Sequence, residues 1–325
     1  MTCARLDSAM TEDSSPSRRG TSGIGQTFGN YTFFHILAEG GMGVIFEAEH
    51  TAIKRKVALK IVSPKYAARE GFSAKLIDEF LREARVMGAI DHPNVVTLYD
   101  AGVVGQCPYL AMKLVGGGDL QSQVMKHGPL RDDAALQLFR NCAAGVGAIH
   151  AAGYLNRDIK PANILMENNG NPRISDFGVA VPVGEIPADN MIAGTPSYLA
   201  PEQIHNQGLD TRSDIYSLGA TFWYTTTGKV PFDGTSPEEI LSHLMTATQP
   251  PHLDIGSTPK ARGLTQIILH AMAFQPEKRY KNTQEIIHDC EAVLAGGEPE
   301  YAQIGQKRKR TFLGAILDRA TSLSL

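Results

Sequence analysis

The run Asn156-Arg157-Asp158-Ile159-Lys160-Pro161-Ala162-Asn163, followed by Asp176-Phe177-Gly178, gathers side chains suited to moving a phosphoryl group. Asp158 could accept a hydroxyl proton, and Lys160 could neutralise a migrating phosphoryl group. Asn163 and Asp176 offer the oxygen ligands that a hard cation such as Mg2+ prefers. Asp176 follows the strand-like Pro172-Arg-Ile-Ser and precedes Phe177 and a glycine, so a turn can present its carboxylate. Each of these residues alone would be structural by default. Four polar groups at these mutual spacings make coincidence the weaker account.

Two signals lie upstream. Leu37-Ala-Glu-Gly-Gly-Met-Gly-Val-Ile45 sits between strand-like segments, and its glycines let backbone N–H groups approach a phosphate closely. Taken alone, a glycine-rich hairpin reads more readily as a tight turn. Val57-Ala58-Leu59-Lys60 places an ammonium inside an apolar strand, where it needs an anionic partner. Glu83 on the following helical segment is the candidate. The plainer alternative is a solvent-facing edge lysine and an ordinary helix glutamate.

The elements that must position these groups follow from periodicity. Tyr31 to Val62 alternates apolar and polar residues, which predicts antiparallel strands. Ile77, Phe80, Leu81, Ala84 and Met87 recur at the spacing of an amphipathic helix between Ala74 and Ile90. Two more strand-like runs, NVVTLYDAG and PYLAMKLV, precede a Gly116-Gly117-Gly118 hinge. Helical patterns then dominate, at 134–152, 214–227, 237–246, 263–273 and 283–294. A strand-rich front and a helical back half predict two subdomains with a cleft between them.

Composition bounds the function class. The chain of 325 residues carries a net charge of −3, which argues against a nucleic-acid binder held by a basic field. No apolar run reaches the roughly 18 residues needed to span a bilayer. Cys3, Cys107, Cys142 and Cys290 stand far apart, the pattern of reduced thiols in a cytoplasmic protein.

Over residues 30 to 295 the sequence resembles the eukaryotic-like protein kinase family, and GGMGVIFEAEH, REARVMGAIDHPNVV, RDIKPANIL and GTPSYLAPEQ resemble its bacterial Ser/Thr members. The resemblance implies an α+β, bilobal fold: a small antiparallel β lobe with one main helix, and a larger, mostly helical lobe. It implies a flexible segment 1–28, a kinase domain 29–295 (lobes about 29–115 and 119–295) and a basic tail 296–325. The expected cofactors are ATP and Mg2+, with Mn2+ as a substitute. The expected partners are protein substrates bearing Ser or Thr, in bacterial signalling.

By the same resemblance, Lys60 grips the α- and β-phosphates while paired with Glu83. Gly40, Gly41 and Gly43 cover the phosphates. Asp158 is the catalytic base, and Asn163 and Asp176 hold the metal. Leu37, Ile45, Ala58 and Leu165 sandwich adenine, with Met112 behind it. Backbone groups of Lys113 and Val115 meet the adenine edge, and Asp119 lies where ribose binds. Thr195 bridges Asp158 and Lys160, a Ser/Thr-type signature. Glu202 pairs with Arg279, and Asp214 anchors the catalytic loop through its backbone N–H groups.

Three departures from the family pattern carry expectations of their own. Ala38 replaces the first glycine of the phosphate loop and Ile45 the usual valine, which should alter loop mobility without loss of function. Asn156 stands where the family has histidine and should brace Phe177 differently. Residues 179–194 contain no Ser, Thr or Tyr, so mid-loop phosphorylation is not expected to switch activity. Glu185 or Asp189 could supply the anion for Arg157, or both are solvated loop acids.

Lys307-Arg308-Lys309-Arg310, with Phe312, Leu313, Ile316 and Leu317 nearby, could contact a partner or an anionic surface, or remain a solvated tail. Deleting 297–325 should spare chemistry if the tail only addresses a partner. Ser14, Ser15, Ser17, Thr21 and Ser22 are open to autophosphorylation. Besides an active kinase, the readings carried are a nucleotide-binding pseudokinase scaffold and a small-molecule phosphotransferase.

Overall fold

The structure, a computed structural model, describes residues 25–40, 43–62, 73–105, 107–185, 194–204 and 208–302. The front of the chain forms strands β1 (Thr27–Phe28), β2 (Tyr31–Gly40), β3 (Gly43–His50) and β4 (Lys56–Val62). Helix α1 (Ser73–Gly88) follows, then β5 (Leu98–Val104) and β6 (Cys107–Lys113). The six strands make one antiparallel sheet in the order β1-β2-β3-β4-β6-β5.

Alternation sorts this sheet into two faces. On β4, Val57, Leu59 and Ile61 turn one way and join Phe28, Tyr31, Phe33, Phe46 and Ala111 in a core of their own. Ala58, Lys60 and Val62 turn the other way, toward α1 and the cleft, where Val62, Leu110 and Met112 share a core with Phe80, Ala84 and Met87 of α1. The same core runs on without interruption into the helical half.

That half contains α2 (Leu120–His127), α3 (Asp132–Ala151), the short strands β7 (Tyr154–Leu155), β8 (Ile164–Met166), β9 (Pro172–Ile174) and β10 (Val181–Pro182), then α4 (Pro201–Ile204), α5 (Thr211–Thr227), α6 (Pro237–Thr246), α7 (Pro259–Ala271) and α8 (Thr283–Leu294). The starts of α6 and α8 fall where periodicity places them, whereas α5 and α7 start earlier because caps set them. Asp210 accepts from Arg212 N ahead of α5, and Thr258 accepts from Ala261 N ahead of α7, with Pro259 at its first position. Phe139 and Phe222 stack at 4.1 Å between ring centres, joining α3 to α5. Among the described residues no helix is long and apolar enough to cross a membrane.

Cys142 and Cys290 are free and buried. Cys107 is disulfide-bonded, which corrects the expectation of a reduced thiol there. Residues 1–24 and the tail from 303 lie outside the described residues, and with them the N-terminal hydroxyls and the basic run.

Candidate functional site

Asp214, on the buried face of α5, organises the catalytic loop. Its carboxylate accepts the backbone N–H of Asn156 at 2.9 Å and of Arg157 at 2.8 Å, and lies 2.8 Å from His150 Nε2. Both carboxylate oxygens are thus engaged, and the loop is pinned to a helix that cannot move without opening the core. Arg157 takes φ 70° and Asp176 φ 62°, the left-handed region that β-carbon residues avoid. Strain at these two positions, held by the surrounding packing, aims the side chains that follow.

Asp158 is the hub. Oδ2 accepts from Lys160 Nζ at 2.7 Å and Asn163 Nδ2 at 3.0 Å; Oδ1 accepts from Thr195 N at 3.0 Å and Thr195 Oγ1 at 3.1 Å. Lys160 Nζ also donates to Thr195 Oγ1 at 2.8 Å. Gly194 makes this approach feasible, with φ 108° and space for no side chain: a Cβ there would lie 2.8 Å from the Arg157 carbonyl oxygen.

Lys60 Nζ donates to both carboxylate oxygens of Glu83, at 2.9 and 2.8 Å. Burial alone would pull the ammonium down, but the charges of Glu83 and Asp176 and the Glu83 hydrogen bond hold its pKa above the ordinary value. Burial raises the Glu83 carboxyl, while Lys60 and the Phe177 backbone N–H oppose that rise. The bidentate contact favours the charged pair.

Asn163 donates through Nδ2 to the Asp158 carbonyl as well as its carboxylate, so its amide oxygen is the end suited to a cation. Asp176 is exposed, with Oδ1 bonded to Gly178 N at 3.2 Å. Two hard oxygen donors fit Mg2+, which keeps several waters and binds substrate phosphates rather than an all-protein cage. Among the described residues no group of three metal-ligating side chains offers such a cage elsewhere.

Ile45 sits opposite Lys60 and Ala58 opposite Met112 in the sheet register, so the residues expected around adenine share one region of the cleft face. Leu37 is 43% exposed, the remainder being partly or fully buried. The Lys113 N–H donates to the Thr97 carbonyl at 2.9 Å. Leu165 bridges to Asp119, whose side chain caps α2 by accepting from Ser122 N at 2.8 Å and Ser122 Oγ at 2.7 Å. Gly43 has a reason besides phosphate: a Cβ there would stand 2.2 Å from the Ile61 carbonyl oxygen of the neighbouring strand. Gly40 ends β2 opposite Gly43, and Gly41 lies outside the described residues.

Arg279 is buried and forks onto Glu202 at 2.6 and 2.8 Å, with Ser213 Oγ on the same carboxylate at 2.7 Å. Sequence reasoning missed Gln203, which accepts the Ala200 N–H and donates to the Arg157 carbonyl at 3.2 Å, tying that segment to the catalytic loop. Its position directly after Ala200-Pro201-Glu202 was the one available signal. Glu185 is exposed, and Asp189 lies outside the described residues.

Comparison with known proteins agrees with this geometry. The family described as "Protein kinase domain" matches residues 31–290. The chain is 34% identical over 269 residues to serine/threonine-protein kinase PrkC of Bacillus subtilis, covering 82% of this chain and 41% of that protein. It is 32% identical over 307 residues to serine/threonine-protein kinase PknD of Mycobacterium tuberculosis, covering 93% and 45%. Against serine/threonine-protein kinase PknB of Mycolicibacterium smegmatis it is 32% identical over 304 residues, covering 89% and 47%. The chain therefore spans less than half the length of these three curated relatives. With its catalytic-loop and ion-pair residues gathered in one cleft, the chain belongs to the protein kinase family, in its bacterial Ser/Thr branch.

Proposed function

We propose that this protein is an ATP- and Mg2+-dependent serine/threonine protein kinase acting in bacterial signalling in the cytoplasm. The observation that carries the reading is the closed set of contacts on Asp158, made by Lys160, Asn163 and Thr195. A substrate hydroxyl placed there loses its proton to Asp158 as its oxygen bonds to the γ-phosphorus; the bond from that phosphorus to the bridging oxygen breaks, and ADP leaves. Lys160 offsets charge on the migrating group, and Lys60, fixed by Glu83, orients the phosphates of ATP. Asn163 and Asp176 would hold the divalent cation, Mg2+ or Mn2+, which neutralises phosphate charge when bound.

Leu37, Ile45, Ala58, Met112, Val115 and Leu165 would enclose adenine, with the Lys113 carbonyl taking its amino group. Partners are proteins presenting Ser or Thr, including this chain itself. The basic run 307–310 would serve contact with a partner or an anionic surface.

The test is transfer from labelled ATP to a generic protein substrate, with Mg2+ or Mn2+, beside Asp158→Asn. Transfer to protein that Asp158→Asn abolishes supports the reading. ATP binding without transfer would leave a scaffold instead, and transfer only to a small molecule would move the protein to another phosphotransferase class.

A further inference from the structure

Glu167, the residue after β8, collects two cations on one oxygen. Its Oε1 lies 2.6 Å from Lys113 Nζ and 2.5 Å from Arg173 Nε. The cations come from different parts of the fold. Lys113 ends β6, where the chain leaves the sheet for the helical lobe. Arg173 is on β9, paired with β8, and is buried. Its Nη1 reaches the Val95 carbonyl at 2.8 Å, in the segment joining α1 to β5.

Two places where the small lobe meets the large one thus converge on one carboxylate. A bridge between Val95 and Ile174 lies alongside, as do bonds from Asn94 to Asn171 and to the Pro172 carbonyl. This joint is polar, unlike the continuous apolar core beside it, so it sets a position without adding much burial. The Glu167 carboxyl is held below its ordinary range by hydrogen bonds from Lys113 and Arg173.

We propose that Glu167 is a positioning residue, which sets the spacing of the two lobes at the nucleotide cleft, and hence ATP affinity, by holding Lys113 and Arg173 together. The proposal rests on the kinase reading of the cleft. Lys113 is partly exposed, and an ion pair at such a side chain adds little to global stability. One that pre-sets a binding surface acts on affinity, because its loss leaves more ordering to be done on binding.

The experiment is steady-state transfer kinetics on the full chain, with fluorescent-nucleotide titration in parallel, for Glu167→Gln, Glu167→Asp, Lys113→Met and the Gln/Met double variant. Glu167→Gln should raise KM for ATP and the nucleotide Kd about three- to tenfold with kcat nearly unchanged. Glu167→Asp should recover part of that loss. The double variant should be no worse than Glu167→Gln, since that change already breaks the Lys113 ion pair.

An unchanged KM and Kd, a fall in kcat alone, or independent additive effects would overturn the proposal. Lys113→Met, at a half-exposed side chain, keeps the test available should Glu167→Gln fold poorly. Wild-type protein that binds nucleotide but transfers nothing would overturn the kinase reading alone, and Kd would then decide the latch.

Discussion

Asn156 Nδ2 donates to the backbone carbonyl of Asp176 at 3.1 Å, and Asn156 Oδ1 accepts the Asp158 N–H at 3.1 Å. One fully buried amide therefore fixes the distance between the carboxylate placed as base and the carboxylate placed at the cation. Asn156→Ala leaves a buried donor and acceptor unpaired, at a cost of about 1–3 kcal/mol. We expect transfer to fall about tenfold or more through misplacement. Asn156→Asp, which cannot donate to the Asp176 carbonyl, should fare no better, whereas Asn156→His should recover more activity than either. Transfer assays on the three variants check the order.

The Lys60–Glu83 pair makes a prediction about charge. Lys60→Met removes the cation proposed to orient phosphate and should abolish measurable transfer. It also leaves Glu83, which is buried, without its cation, destabilising the fold by about 3 kcal/mol. Adding Glu83→Gln should recover much of the melting temperature but none of the activity. Calorimetry and transfer assays run together separate the two effects.

Thr195 is tested by shape. Thr195→Val keeps the packing and loses the hydroxyl contacts to Asp158 and Lys160. Transfer should drop about 10- to 100-fold with melting temperature nearly unchanged. Thr195→Ser keeps the hydroxyl and should retain most of the rate.

His270 packs edge-on to Tyr280, 4.5 Å between ring centres. Burial lowers its pKa from the ordinary 6.5, more than Asp289 and Glu285 raise it. The unfolded chain then binds the proton more readily than the folded one. Stability attached to the neutral ring is therefore complete above about pH 6.5 and is lost as pH falls below it, toward the folded value. His270→Phe should reduce the loss of melting temperature between pH 7 and pH 5 relative to wild type, an outcome read from thermal melts across that range.

What the sequence made legible was chemistry carried by local order. The spacing from Asp158 to Asn163 and on to Asp176 pointed to one site because each residue type has a narrow chemical use. Strand alternation around Lys60 likewise revealed which face it shares with Ala58. Contacts between distant segments left no such trace: Glu167 with Lys113, Gln203 with Arg157, and Asn94 with Asn171 depend on how lobes and loops meet. Helix α2 was missed because it has only eight residues and its cap, Asp119, was read for ribose. Thr258 caps α7 with Pro259 at its first position, ahead of residue 263 where apolar periodicity begins.

Asp289 carries a prediction about stability, which the expectation of spared chemistry does not cover. It is fully buried on α8, and it accepts the Tyr280 hydroxyl at 2.8 Å and the backbone N–H groups of Glu300, Tyr301 and Ala302 at 2.7, 3.0 and 2.9 Å. The segment after α8 is thus fastened to the large lobe, so deleting 297–325 removes three donors from a buried carboxylate. The deletion should destabilise the protein by about 3 kcal/mol, a melting shift of roughly 4–5 °C at this size. Deletion from 303 onward keeps the fastening and should cost little. Asp289→Ala removes the shared acceptor, so combining it with the 297–325 deletion should add almost nothing to either change alone. Transfer at 20 °C should survive in all of these proteins, because the fastening lies apart from Asp158. Additive melting shifts, or equal stability of the two truncations, would show that Asp289 does not hold the segment.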